Sequence, residues 1–138
     1  MPAKDIFHNT VRLALEKDGW VITDDPLHLK VGGTEMYIDL AAERLIAAQK
    51  NGQNIAVEIK SFLRESELTE FHLALGQFLN YRLALKQKLP NFVLYLAIPT
   101  DTYNTLFHRQ FIQDAIEEYQ LKLLIFDPNK QRIAAWKA

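Results

Sequence analysis

Apolar residues Ile6, Phe7, Val11, Ala14 and Leu15 recur at helical spacing between Asp5 and Asp18, and Gly19 follows where a helix ends on positive φ. This predicts a first helix over 5–18. Trp20-Val21-Ile22-Thr23 is aromatic and β-branched and stops at Asp24-Asp25-Pro26, so it reads as a short strand. After a Gly32-Gly33 break, Met36–Leu40 reads as a second strand. Ala41 to Lys50 contains good helix formers, but Asn51-Gly52 between two runs of similar length is a strong hairpin signal and favours two antiparallel strands. In the second of these, Ile55, Val57 and Ile59 form a core face, alternating with Ala56, Glu58 and Lys60.

Ser66 caps a long helix predicted from about Glu67 to Lys88, with Phe71, Leu75, Phe78, Leu79, Arg82 and Leu85 near a 3.6 period and Pro90 ending it. Phe92 to Ile98 is a continuous apolar run of strand length, expected to be covered on both faces. A helix over roughly 100–119, a strand Leu121 to Phe126 and, after the Asp127-Pro128-Asn129 turn, a strand Arg132 to Trp136 complete the order. The expected fold class is α/β, a sandwich with a mixed central sheet flanked by helices, in one domain over 1–138.

Composition narrows the chemistry. The 138 residues contain no cysteine, which removes zinc ribbons, iron-sulfur clusters and thiol nucleophiles. Sixteen Lys and Arg against seventeen Asp and Glu, a net charge of −1, argue against a generic cationic DNA binder, whose affinity comes from neutralising phosphates. Charge is even along the chain, and there is no repeat or low-complexity tract. Lys4, Asp5 and His8 stand where a signal core would be, and no run reaches the roughly 18 apolar residues of a membrane helix, so a cytoplasmic location is expected.

One constellation could carry a reaction. Glu58 and Lys60 project from the same face of a strand, about 6.6 to 7 Å apart along it. If the strand bearing Asp39 lies alongside, Asp39 and Glu58 converge on a hard divalent cation and Lys60 stays near a bound water or phosphate. Magnesium or manganese suits such a set, because magnesium takes oxygen ligands and is often held by one or two carboxylates plus a substrate phosphate. The chemistry would be phosphodiester hydrolysis. The competing reading is a solvated polar strand face, which an apolar central strand covered by a helix makes costly.

Asp39 followed by Glu58-Ile59-Lys60, between helices, resembles the PD-(D/E)XK nuclease superfamily, the restriction-endonuclease-like fold. The strings 20–27, 55–62 and 74–82 resemble the XisH-type family, excision-controlling factors of the fdxN element in cyanobacteria. Ile38 stands where the superfamily pattern has proline. The resemblance implies a four-stranded mixed sheet, a divalent-metal site at Asp39, Glu58 and Lys60, a role in programmed DNA rearrangement, and a XisI-type partner. It also points to Glu16 on the first helix and Gln77 on the long helix as further site residues. Glu16 could instead pair with Arg12 at i, i+4, and Gln77 next to Gly76 could mark close packing of the helix on the sheet. The four histidines have no mutual metal-ligand spacing, and Arg82, Lys86 and Lys88 serve either phosphate contact or the helix end. DNA, a XisI-type protein or a second copy are the expected partners, with no membrane. An active endonuclease and a catalytically inactive accessory protein that binds DNA or its partner are the two functions in view.

Overall fold

A computed structural model describes residues 4–44, 52–63 and 66–138. Helix α1 (His8–Lys17) buries Val11, Ala14 and Leu15, and Gly19, at φ +89, takes the turn that ends it. Strand β1 (Val21–Asp24) follows, then β2 (Leu27–Val31), β3 (Thr34–Ile38), β4 (Leu40–Arg44) and β5 (Gln53–Ile59). Helix α2 (Glu67–Lys88) starts at Ser66, whose hydroxyl accepts a hydrogen bond from the Thr69 backbone N–H at 3.3 Å. Strand β6 (Phe92–Pro99), helices α3 (Thr100–Asn104) and α4 (Gln110–Glu118), and strands β7 (Leu123–Asp127) and β8 (Arg132–Lys137) complete the chain.

Six strands form one mixed sheet in the order β1-β4-β5-β6-β7-β8, and β2 and β3 form a separate hairpin. β5, β6 and β7 run parallel, while β1, β4 and β8 are antiparallel to their neighbours. Alternation splits the core into two layers. Ile55, Val57 and Ile59 pack with Val11, Leu15 and Trp20 on the α1 side. Ala56, Leu94, Leu96 and Ile98 face Phe71, Ala74, Phe78 and Leu85 of α2, with Ile112 and Ala115 of α4 beside them. The hairpin adds Leu27, Leu29 and Ile38 to that second layer. The result is a three-layer α/β sandwich with β5 buried on both faces, as its apolar flanks predict.

Four expectations need correction. The sheet has six strands, not four, because β1 and β8 both join it. Met36–Leu40 is not one strand: the chain leaves the hairpin at Ile38 and enters the main sheet at Leu40, with Asp39 at the junction. The single helix over 100–119 is broken by a 3-10 turn at Leu106–His108, with extended backbone at Arg109. The break turns Leu106 and Phe107 into the core, and Phe107 packs edge-to-face on Phe62 and Phe71. The Thr105 hydroxyl donates to the Asp101 carbonyl and the Gln113 side chain donates to the Phe107 carbonyl, which gives two backbone carbonyls of the interrupted segment partners. Finally, Gly76 is not a close-packing residue, since a Cβ there would meet nothing within 4 Å. The antiparallel pairing predicted around Asn51-Gly52 is present between β4 and β5, while 45–51 lies outside the described residues.

Candidate active site at the end of the central strand

Glu58 occupies the last turnout of β5 towards α2, and the strand's continuation is held to β6 by the Lys60 N–H donating to the Ala97 carbonyl at 3.0 Å. Asp39 meets it from the junction between the two sheets. Two hydrogen bonds tie Asp39 to the end of β5: the Asp39 N–H donates to Glu58 Oε1 at 3.3 Å, and the Ile59 N–H donates to Asp39 Oδ2 at 2.7 Å. Asp39 thus has a free backbone donor because the strand pairing of β3 has ended, and its carboxylate takes a donor from β5 in place of a ladder partner. Lys60 Nζ lies 3.5 Å from Glu58 Oε2.

Glu58 is only 5% exposed. Burial first, and then the negative charge of Asp39, push its carboxyl up to about 8, against the smaller opposing pull of Lys60. Burial also raises Asp39, although the Ile59 N–H and Glu58 hold it back. The two carboxyls act on each other's charge, and Glu58 is the protonated member at neutral pH. The 3.5 Å Lys60 contact therefore joins an ammonium to a neutral acid until that proton leaves.

These groups form the floor of a cleft of about 570 Å³. Gln77 and Tyr81, one turn apart on α2, line it, and Gln77 Oε1 is buried with no protein donor among the described residues. Tyr81 is pushed up to about 12 by burial and by the carboxyls of Glu58 and Asp39. Asp5 also lines the cleft, its carboxylate accepting from the Ser61 N–H at 3.0 Å and from the Phe7 N–H at 2.9 Å. Asp5 thereby ties the entry to α1 to the segment just after Lys60. Asp39, Glu58, Lys60 and Gln77 are thus brought together.

Glu16 is not brought to them. It is exposed on α1 and outside the cleft, and Arg12 pairs with Asp25 at 2.5 Å instead of with Glu16. His8, buried, holds the other oxygen of Asp25 at 2.6 Å. Arg82 donates to the Tyr119 and Gln120 carbonyls at 2.8 and 3.1 Å, fastening α2 to the end of α4. Tyr81 and Asp5 escaped the sequence reading. Tyr81 had a signal, four residues beyond Gln77 on one helix face, whereas nothing local marks Asp5.

A divalent cation fits the donor set. Asp39 and Glu58 offer hard oxygens, Gln77 Oε1 is an acceptor still in need of a donor such as a coordinated water, and a cation would replace the proton held on Glu58. Among the described residues no third His, Cys, Asp or Glu joins them in a group that could hold a metal ion.

Fold and site define the class: an α/β sandwich with a mixed six-stranded sheet and a cleft built on two buried carboxyls and a lysine at the end of its central strand. The chain belongs to the XisH family, whose model, described as XisH protein, matches residues 1–134. It is similar to the crystal structure of an XisH family protein from Nostoc punctiforme PCC 73102, with 50% identity and a TM-score of 0.89 over 97% of this chain and 100% of that one. It is also similar to an fdxN element excision controlling factor protein from Anabaena variabilis, with 48% identity and a TM-score of 0.88 over 98% of this chain and 100% of that one. Comparison with curated proteins finds no match. Among the described residues no helix is long and apolar enough to cross a membrane.

Proposed function

We propose that this chain is an excision-controlling factor for a programmed DNA rearrangement and that its cleft hydrolyses DNA phosphodiesters with magnesium or manganese, as in the PD-(D/E)XK nucleases. The name of the Anabaena variabilis relative supports the first part. The convergence of Asp39 and Glu58, joined by the Asp39 N–H and beside Lys60 in an open cleft, carries the second. Asp39 and Glu58 would hold the ion, which when bound supplies Lewis-acid stabilisation of the scissile phosphate. Lys60 places positive charge where the phosphate gains negative charge. Gln77 accepts a hydrogen bond from water in the cleft and so orients it.

The net charge of −1 favours a second reading, an accessory protein that assembles with a XisI-type protein or a second copy and leaves cutting to a separate recombinase. Cleavage of supercoiled, nicked and branched DNA in magnesium or manganese decides between them. Hydrolysis lost in Glu58→Ala and Lys60→Ala supports the nuclease. Activity that survives both changes removes this site, and normal excision with a folded Glu58→Ala protein supports the accessory role.

A further inference from the structure

The cleft's rim is chemically unlike its floor. Ile6, Leu63 and Leu73 are among the most exposed large apolar side chains of the described residues, at 73%, 64% and 56%, and all three line this one cleft. They come from three places: the turn before α1, the segment after β5, and α2. Leu63 is presented by an unusual backbone, because Phe62 at φ 55 turns inward against Phe107 and leaves its neighbour outside. On the hairpin side, Tyr37 lines the cleft with its ring stacked on His28, centroids 4.8 Å apart and planes 15° from parallel. Lys4 and Lys60 are the only cationic side chains among the described residues lining it.

A blunt duplex stacks its bases inside and presents mainly phosphates and sugars along its surface, so it leaves the exposed apolar side chains of this rim with little to cover. Unpaired nucleotides expose base faces, which apolar and aromatic side chains cover, and Leu and Ile serve as wedges between unstacked bases. The volume of about 570 Å³ is that of a small-ligand pocket, suited to a nucleotide unit and not to a paired groove.

We propose that the cleft takes an unpaired stretch of DNA strand, as at a flap or branch, with bases against Ile6, Leu63, Leu73 and the Tyr37 ring and a phosphate at Lys60. The assignment of DNA rests on the phosphodiester reading of the floor, and the strand preference rests on the rim.

Anisotropy of labelled single-stranded, flapped and blunt duplex oligonucleotides of one sequence, in calcium to hold back cleavage, tests it. The wild-type protein should bind the strand and the flap roughly tenfold or more tighter than the blunt duplex. A Leu63→Ser/Leu73→Ser protein should lose that preference with its melting temperature unchanged, and Ile6→Ser provides an independent reading should the double variant fail to fold. Equal affinity for blunt duplex, a preference untouched by the rim variants, or no binding of any of these DNAs would overturn the proposal, the last outcome pointing to a protein occupant. Cleavage in magnesium is scored separately. Equal cutting of blunt and flapped DNA overturns the strand preference and keeps the nuclease, whereas selective binding without cutting keeps the preference and removes the nuclease.

Discussion

Replacing Glu58 by glutamine should flatten the pH dependence of stability, because the wild-type carboxyl is held neutral where the unfolded chain ionises. The folded protein keeps the proton up to about pH 8, while in the unfolded chain it leaves near the ordinary 4.5. Between those values the unfolded state binds fewer protons, so stability falls as pH rises. This contribution is fully present below about 4.5 and lost by the time pH has passed about 8. At about 1.36 kcal/mol per unit, the ceiling is about 5 kcal/mol. Water entry and the coupled ionisation of Asp39 reduce it to ~2 kcal/mol, or roughly 8 °C of melting temperature in a chain of this size. Asp39 acts with the same sign. At Asp25, burial works upward but hydrogen bonds from Arg12 and His8 outweigh it, so its effect falls below the ordinary 3.8 and outside the window. Glutamine keeps an acceptor for the Asp39 N–H and has no proton to lose. Melting curves of both proteins in metal-free buffer from about pH 5 to about pH 9 therefore give a difference that shifts steadily in favour of the variant as pH rises. A difference constant across that range would refute the neutral-carboxyl argument. Adding magnesium at pH above 8 should then raise the melting temperature of the wild-type protein only, by an amount that grows with ligand excess.

Gly76→Ala should stabilise the protein by about 0.5 to 1 kcal/mol, read from a urea melt, because the new methyl meets open space and the helix interior no longer carries a glycine. Phe107→Ala should cost about 3 to 5 kcal/mol in the same measurement, since the ring fills the space between Phe62 and Phe71 at the interrupted helix.

The long elements were legible because period and cap agreed. α2 runs from Glu67 to Lys88 under Ser66, and β5 and β6 show the apolar content of strands covered on both sides. β2 is hidden in the sequence although Leu27, Leu29 and Val31 alternate with His28 and Lys30, because Asp25-Pro26 carries the signal of a strand end and equally that of a corner into a hairpin. The break at Leu106–His108 carries no glycine or proline; tertiary burial of Leu106 and Phe107 wins over helix propensity there. At the site, period-two alternation was enough to place Glu58 and Lys60 on one face. The reach of Asp39 across to Ile59 was not readable, because it depends on where β3 stops, and neither was the inward turn of Phe62 that sets Leu63 at the rim.

Asp39 is the hinge-point residue between a two-stranded flap and the main sheet, with its peptide fixed to Glu58 and its neighbours belonging to different sheets. The backbone that places one carboxyl of the pair is therefore the same backbone that leaves the β2–β3 hairpin, with Tyr37 of the cleft wall only two residues before it, so one short stretch of chain supplies both a wall and the floor.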